Sequence, residues 1–231
     1  MTTIRNNLQS VRERIAAACA KAQRPVNEVT LLAVSKTWGP EAVREAQAAG
    51  QQAFGENYIQ EAVEKMALLA DLPLEWHCIG PIQSNKTRLV AQHFHWAHTV
   101  DRLKIAQRLS EQRPEDLPPL NVCIQVNIDK GVTKSGVAPD EALDLAREIA
   151  ALPRVALRGL MTIPEPAPDF VAQCAVHARA RALFDSMIEA GVALDTLSMG
   201  MTADLEAAVV EGSTMVRVGT AIFGSRTSRS P

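Results

Sequence analysis

The sequence predicts a single (β/α)8 barrel, the TIM-barrel fold. Short apolar segments with strand character alternate with amphipathic helical segments along almost all of the 231 residues. Such alternation implies parallel strands joined by right-handed crossovers, and eight units in a chain of this length fit a closed barrel better than an open sheet. No repeat, low-complexity tract or linker divides the chain. We therefore expect one domain over residues 1–231, with a mobile tail at about 226–231.

An extra helix precedes the first strand. Apolar side chains recur every three or four positions between Ile4 and Ala18, a spacing that places them on one helix face. This pattern predicts an amphipathic helix over about residues 2–22, which Arg24-Pro25 ends. In a barrel, such a helix is expected to cover the bottom or the flank.

The predicted strands are short apolar runs bounded by turn residues. The first lies in LLAVSKTW, at 31–38, before Gly39-Pro40 closes the run, and the clearest is NVCIQVNI at 121–128. In chain order the strands cover 31–36, 53–57, 75–80, 95–100, 121–128, 157–161, 196–200 and 215–224, the last of which includes its turn.

Each predicted strand is followed by a helix or by the start of one. The first of these helices has Pro40 in its first turn and Gly50 at its end, where these residue types are preferred. The helical segments cover 40–50, 58–70, 85–93, 102–112, 138–153, 169–190 and 203–212. The residues after the last strand are too few for a full eighth helix.

Composition excludes several classes of protein. Lys plus Arg number 24 and Asp plus Glu number 26, so a net charge of −2 gives no reason to expect binding to nucleic acid or to an anionic membrane. The N-terminus lacks the pattern of a signal peptide, and no apolar run reaches the ~20 residues of a membrane helix. Cys19, Cys78, Cys123 and Cys174 form no CxxC pair, so we expect reduced, buried cysteines in a cytoplasmic protein.

Residues that can do chemistry gather at the C-terminal ends of the predicted strands, where a barrel of this type builds its active site. Lys36 ends the first strand, and a lysine in that place costs desolvation unless it has a partner or a chemical role. Asn57 ends the second strand. Lys36 is therefore the leading candidate, and an exposed lysine at a strand end is the plainer alternative.

The loops after strands seven and eight have the composition of a phosphate site. The candidates are Ser198, Gly200 and Thr202 in SMGMT, and Gly219 and Thr220 in VGT. Thr202 is a candidate N-cap for the helix that follows, whereas Asp204 would repel a phosphate and is expected to point outward. Strand alternation places Arg217 on the same face as Gly219.

An amine that faces a phosphate site across a barrel mouth suits pyridoxal 5′-phosphate. The aldehyde of this cofactor forms a Schiff base with a lysine that is neutral part of the time, and burial favours the neutral form. We therefore predict that Lys36 holds pyridoxal 5′-phosphate as a Schiff base. A weaker alternative is a phosphate-binding barrel enzyme without this cofactor, in which the lysine forms an imine with a sugar substrate.

The histidines have simpler interpretations. His93, His95 and His98 straddle a helix end and a strand, with no acid or cysteine at ligand spacing, so no metal site is predicted. His77 lies in a strand near the mouth and is expected either to pack with a hydrogen bond or to contact a ligand in the pocket.

Several long motifs occur in an order that resembles the YggS/PROSC family of pyridoxal phosphate-binding homeostasis proteins. They are AVSK, FGENY, WHCIGPIQSNK, VNI followed by KSG, GLM, and LSMGMTADLEAAVVEGSTMVRVGTAIFG. Together they extend from about residue 5 to Arg226. Lys86 and Lys134 lie in these motifs, where they are either solvated side chains or contacts for an anion.

The resemblance implies a barrel of the alanine racemase N-terminal domain type, with the cofactor on Lys36. It implies that Asn57 lies in the cofactor pocket and Arg217 beside the pyridine nitrogen. It also implies a phosphate loop formed by Ser198, Gly200, Thr202, Gly219 and Thr220. Thr202 replaces the serine usual in the family, and the hydroxyl group is retained.

The same resemblance implies a carrier that buffers the cofactor and supplies pyridoxal phosphate-dependent apoenzymes, without robust catalysis. The alternative is a low-rate amino-acid racemase that depends on the cofactor. Two-base racemisation requires a base opposite Lys36, and the single tyrosine, Tyr58, begins a helix. Without a base supplied by a partner subunit, we expect a monomer.

Overall fold

A closed barrel of eight parallel strands forms the centre of the molecule, which confirms the predicted fold class. The computed structural model describes residues 3–131 and 135–225. Each strand pairs with the next in chain order, and the first pairs with the last to close the barrel. The strands β1 to β8 cover Thr30–Val34, Ala53–Glu56, Glu75–Cys78, Trp96–Val100, Leu120–Val126, Val155–Thr162, Thr196–Ser198 and Met215–Val218.

Helices surround this barrel, as the alternating sequence pattern predicts. The α-helices α1 to α9 cover Ile4–Lys21, Pro40–Ala48, Ile59–Leu68, Thr87–His93, Leu103–Gln112, Ala142–Ala150, Phe170–Glu189, Leu205–Val210 and Thr220–Phe223. Two short 3-10 turns, Val26–Glu28 and Ser84–Lys86, come before β1 and α4. In the described part of the chain, no helix has both the length and the apolar composition needed to cross a membrane.

The predicted N-terminal helix is present as α1, and it lies on the flank of the barrel. Thr3 caps it by accepting a hydrogen bond from the backbone N–H of Asn6. Its buried face packs mainly on α8, α9 and α2, the helices on either side of the junction between β8 and β1. Arg14 forms an ion pair with Glu206 on α8, and Asn7 donates to the carbonyl of Ile222 on α9.

Several predicted boundaries are wrong, and three of them concern candidate site residues. The first strand ends at Val34 rather than Lys36, because Ser35 is the last residue to bond with β2 and Thr37 adopts a left-handed φ of 69°. The seventh strand has three residues rather than five, because the chain turns at Gly200. The segment after Val218 coils into the short helix α9 instead of forming only a turn.

Alternate strand residues fill two different cores. Residues that point outward pack against the helices and form most of the apolar interior. Residues that point inward form two small apolar groups inside the barrel: Leu32, Val34, Ala53, Ile79 and Met215 in one, and Trp96, Cys123 and Met161 in the other. Polar side chains occupy the space between these groups, which makes the barrel interior unusually polar.

The cysteines form no disulfide within the described residues. Cys19, Cys78 and Cys123 are buried as predicted, whereas Cys174 is only half-buried because it lies on the long surface helix α7. Burial raises the pKa of Cys78 and that of Cys123 to about 12, so both thiols stay protonated at neutral pH. The predicted mobile tail at 226–231 lies outside the described residues.

Candidate functional site

Lys36 lies at the C-terminal mouth of the barrel, in the turn that follows β1. Leu32 and Val34 point into the barrel, and Lys36 comes two residues after Val34, where β1 has ended and the chain turns. Its side chain is half-buried. The structure therefore places the backbone of this lysine at the C-terminal end of the barrel, with a side chain that is not fully exposed.

A buried ion pair supports the peptide group that precedes Lys36. On α3, Lys65 donates to the carbonyl of Ser35 at 3.0 Å and lies 2.7 Å from a carboxylate oxygen of Glu56. The Ser35 hydroxyl donates to the same oxygen at 2.6 Å. Burial raises the pKa of Glu56, and the nearby Lys65 only partly opposes this shift. Three elements are thus joined directly behind the turn that carries Lys36.

The sequence analysis placed Glu56 with Asn57 at the end of the second strand, but it did not single out Lys65 or predict that the two residues pair. Lys65 occupies a helix and reads as a solvated side chain, yet only 4% of it is exposed. One signal was available, because Glu56 is a carboxylate at the end of an apolar strand and charged groups are rarely buried without a partner. That signal predicts a cation nearby without saying which one.

Asn57 follows β2 at the same rim. Its side-chain oxygen is buried and has no hydrogen-bond partner among the described residues. The backbone at Asn57 passes very close to Gly80. A Cβ added to Gly80 would collide with the Asn57 carbonyl oxygen and lie 2.7 Å from the Asn57 Cα. The carbonyl of Gly80 in turn accepts from Thr99 at 2.6 Å. Asn57 is thus held in place with an acceptor that a ligand can satisfy.

The loop after β7 turns sharply at Gly200. This residue has a φ of 93°, and a Cβ here would collide with the Cβ of Ala208 on α8. The Gly200 carbonyl accepts from the backbone N–H of Arg217 at 3.0 Å, and Arg14 donates to the carbonyl of Thr202 at 2.8 Å. The loop is therefore fixed on both sides by backbone contacts.

Thr202 is not the N-cap of the following helix, contrary to the prediction. The helix α8 begins at Leu205, and Asp204 is the capping residue because a turn over residues 202–204 comes first. The Asp204 carboxylate accepts from the backbone N–H of Met201 at 2.7 Å and lies 3.0 Å from His177 on α7. It is therefore turned toward α7, as expected. Burial alone would raise the pKa of Asp204, but these two hydrogen bonds outweigh it and lower the pKa.

The loop after β8 meets the end of β1. Ala33 pairs with Val218, and a Cβ on Gly219 would lie 3.2 Å from the carbonyl oxygen of Val34. Thr220 follows at the start of α9. Gly219 and Thr220 are thus at the same point of the rim as the turn that carries Lys36. The structure brings together the turn that carries Lys36 and the two glycine-containing loops.

Arg217 lies inside the barrel beneath these loops. Its guanidinium donates to the Ser198 hydroxyl and to the carbonyl of Thr162, each at 2.8 Å. Burial lowers the pKa of Arg217 to about 10, so the group remains charged at neutral pH. The hydroxyl of Thr162 is buried and has no partner in the described part of the chain. The side chain of Ser198 thus faces Arg217, while its backbone leads into the loop at Gly200.

The histidines do not gather around a common centre. His77 is completely buried inside the barrel and is hydrogen-bonded. Of the two predicted arrangements, packing with a hydrogen bond or contact with a ligand, this is the first. His98 is also buried there, whereas His93 and His95 are exposed. No group of three or more potential metal ligands occurs in residues 3–131 and 135–225.

Two lysines, Lys86 and Lys134, lie in the motifs that resemble the family. Lys86 is half-buried at the end of a 3-10 turn. Lys134 lies outside the described residues.

Comparisons with known proteins agree with this geometry. The profile of the family described as alanine racemase, N-terminal domain, matches residues 6–227. Pyridoxal phosphate homeostasis proteins of Pseudomonas aeruginosa and Escherichia coli are 58% identical over 231 residues and 52% identical over 229 residues. The first match covers 100% of this chain and 99% of the relative, and the second covers 98% of each.

Solved structures show the same likeness. PipY of Synechococcus elongatus is 40% identical, with TM-scores of 0.81 without PLP and 0.80 with PLP bound. These matches cover 92% and 93% of this chain and 99% and 100% of PipY. An alanine racemase of Clostridium difficile is 16% identical with a TM-score of 0.72, over 98% of this chain and 58% of the racemase, which shows a common fold only.

The family profile covers nearly the whole chain, and the bacterial relatives match it from end to end at more than half identity. The chain therefore belongs to the alanine racemase N-terminal domain family and, within it, to the pyridoxal phosphate homeostasis proteins.

Proposed function

We propose that this protein binds pyridoxal 5′-phosphate and acts in the homeostasis of that cofactor, holding it as a Schiff base on Lys36. The observation that carries the proposal is the junction of β1 and β8, where Gly219 approaches the Val34 carbonyl two residues before Lys36. An amine and a phosphate loop at one point of a barrel rim suit a small molecule with an aldehyde and a phosphate group. The name of the bacterial relatives and the PLP-bound PipY structure support the same cofactor.

The residues around this junction fit the cofactor in three ways. The buried and unsatisfied oxygen of Asn57 is an acceptor for a polar group on the ring. The loops at Gly200 and Gly219 offer backbone donors, and Thr202 and Thr220 offer hydroxyl groups, for the phosphate. Arg217 supplies a fixed positive charge inside the mouth.

The bound cofactor supplies an aldehyde that reacts with an amine and a ring that can withdraw electrons. In this proposal Lys36 provides the amine, and the buried pair of Lys65 and Glu56 fixes the turn that presents it. Arg217 beside the ring nitrogen keeps that nitrogen unprotonated, because a guanidinium repels a second proton. A ring without that proton withdraws electrons weakly, which favours holding the cofactor over catalysis with it.

Borohydride reduction tests this assignment. Purified protein loaded with pyridoxal 5′-phosphate is expected to show a visible absorbance band that borohydride abolishes, leaving a reduced adduct that mass spectrometry locates on Lys36. The adduct should be absent from Lys36→Ala and present in Lys86→Ala, the matched control. A reduced adduct on another lysine, or none in the wild-type protein, would contradict the proposal.

The proposal includes a carrier role in one barrel domain over residues 1–231, as a cytoplasmic monomer that supplies apoenzymes dependent on the cofactor. Restored activity of such an apoenzyme, mixed with loaded protein under conditions that trap free cofactor, supports direct supply. Exchange of Cα hydrogen for deuterium in amino acids, lost in Lys36→Ala, would instead support the racemase alternative. Sedimentation of the loaded protein decides the oligomeric state.

A further inference from the structure

A continuous chain of hydrogen-bonded side chains crosses the barrel interior from its N-terminal end to its mouth. Glu75, at the start of β3, lies 2.7 Å from Nε2 of His77, and Nδ1 of His77 lies 2.9 Å from Nε2 of His98. Nδ1 of His98 lies 3.1 Å from the Ser198 hydroxyl, which accepts from Arg217 at 2.8 Å. These five residues, which we call the relay, join the base of the barrel to the cofactor site.

With both imidazole rings neutral, the Glu75 end sets the direction of the hydrogen bonds between Glu75 and Ser198, because the Ser198 hydroxyl can accept from Arg217 whichever way the relay runs. Arg217 can only donate and an ionised Glu75 can only accept. Ser198 therefore donates to Nδ1 of His98, whose Nε2–H donates to Nδ1 of His77, whose Nε2–H donates to Glu75. Both rings then carry their proton on Nε2. If the hydrogen bonds ran in the opposite direction, Nε2 of His77 would carry no hydrogen and would face the Glu75 carboxylate. Two acceptors would then meet, unless Glu75 were protonated.

The surroundings of the relay favour neutral rings between two charged ends. Burial lowers the pKa of His77 and lowers that of His98 well below its ordinary value. The hydrogen bond from His77 lowers the pKa of Glu75, so this carboxylate stays ionised. The ring of His77 stacks on Trp96 at 5.3 Å with an 8° angle between the planes, which holds it in the orientation that the relay needs.

Other charged groups lie near the relay. His95 and Arg158 act on or respond to Glu75, while Asp204 and Cys123 face Arg217. Arg158 also lies over the ring of Trp96, 4.9 Å from its centre, and pairs with Asp195. None of these groups forms a link in the relay, because each of its hydrogen bonds joins two of the five residues.

The outer end of the relay opens on the side of the molecule opposite Lys36. The Glu75 side chain is 48% exposed and lines a cavity of about 820 Å³ at the N-terminal ends of β1, β2 and β3. Arg12 and His95 also line this cavity. A change of charge in this cavity therefore acts directly on Glu75, the first residue of the relay.

We propose that Glu75, His77 and His98 are positioning residues, which act through Ser198 to orient Arg217 toward the bound cofactor. This inference rests on the proposed function, because it assigns the relay an effect on the cofactor beside Arg217. If these residues act in this way, the affinity of the barrel mouth for the cofactor depends on the Glu75 carboxylate at the other end of the barrel. Replacing that carboxylate by an amide removes the fixed direction, because an amide can both donate and accept.

Glu75→Gln tests the proposal, with Glu28→Gln as the matched control. Glu28 ends the 3-10 turn before β1, and its side chain is 51% exposed. Val26, which begins this turn, and Val29, which follows it, line the same cavity. Both variants remove one negative charge from the same end of the barrel. Nitrogen-15 NMR of the cofactor-free proteins reports which ring nitrogen carries the proton, and titration with pyridoxal 5′-phosphate gives the dissociation constant.

We expect His77 and His98 to carry the proton on Nε2 in the wild-type protein and in Glu28→Gln. In Glu75→Gln we expect a mixture of the two tautomers and an affinity about five-fold lower, a coupling typical of linked sites. A proton on Nδ1 of either ring in the wild-type protein overturns the relay. An affinity of Glu75→Gln equal to that of Glu28→Gln overturns the positioning role, even where the tautomers change.

The two measurements also separate this inference from the proposed function. NMR of the cofactor-free protein decides the direction of the relay whether or not the cofactor binds. Failure of the wild-type protein to form a reduced adduct on Lys36 refutes the proposed function and, with it, the effect on the cofactor. An adduct on Lys36 together with equal affinities in the two variants refutes the positioning role alone.

Discussion

Two lysines lie on either side of the same peptide group and have opposite environments. Lys65 is almost completely buried, paired with Glu56, and bonded to the carbonyl of Ser35. Lys36, the next residue after Ser35, is half-buried in the turn at the barrel mouth. One amine is held by a carboxylate and a carbonyl in the interior, and the other lies in the turn at the barrel mouth. Under the proposed function, Lys36 binds the cofactor and Lys65 supports the turn that carries it.

Replacing Lys36 tests the different roles of the two lysines, and it is expected to have the largest effect on cofactor binding. In Lys36→Ala the Schiff base cannot form, so we expect the reduced adduct to disappear. The free energy of unfolding should change by less than about 0.5 kcal/mol, because a half-buried lysine in a turn contributes little packing. Mass spectrometry after borohydride and urea denaturation of the cofactor-free protein measure the two quantities. Strong destabilisation would show that Lys36 also has a structural role.

Replacing Lys65 is expected to have the converse effect. Lys65→Met leaves the Glu56 carboxylate buried without its cation, which should cost about 3–5 kcal/mol of stability. The protein that remains folded should still form its adduct on Lys36. Urea denaturation measures the cost, and the double variant Glu56→Gln with Lys65→Met, which has no buried charge, should recover much of it. An unchanged stability would contradict the buried ion pair.

The pH dependence of that cost makes the comparison sharper. Burial already raises the pKa of Glu56, and without Lys65 the pKa should rise further. A raised carboxyl pKa means that the folded state binds the proton more tightly than the unfolded state, so stability falls as the pH rises between the two values. The difference between Lys65→Met and the wild type should therefore shrink toward acidic pH. A difference that grows on acidification would contradict this sign.

Gly200 extends the comparison to the loop after β7, two strands from β1 in the closed barrel, where the support is a backbone hydrogen bond and a bond from Arg14 rather than a buried ion pair. Gly200→Ala places a Cβ against Ala208 at a φ of 93°, which should cost about 1–3 kcal/mol and displace the loop. The affinity for pyridoxal 5′-phosphate should fall, while the adduct remains on Lys36. Gly191→Ala is the control, because its φ is 90° and nothing lies within 4 Å of the added atom. Equal losses of affinity in the two variants would contradict a specific role for the loop.

Periodicity and strand order were sufficient to predict the barrel, the N-terminal helix and the rim on which Lys36 lies. The side-chain partners inside the barrel were not predictable in the same way. Lys65 reaches Glu56 because α3 folds back over β2, and His98 reaches Ser198 across the barrel, a contact between residues distant in the chain. Such contacts depend on the stagger of the closed sheet, which spacing along one strand does not give. The N-cap of α8 was misplaced for a local reason, because the chain makes a turn over residues 202–204 before the helix begins, and the Asp204 carboxylate bonds back to the N–H of Met201.

Closure of the barrel by β1 and β8 has a consequence for biosynthesis. Lys36 follows the first strand to be synthesised, whereas Gly219 and Thr220 follow the last. A nascent chain that stops before Met215 has Lys36 without the loop that meets the end of β1. Under the proposed function, capture of the cofactor is therefore expected only once β8 has joined the barrel.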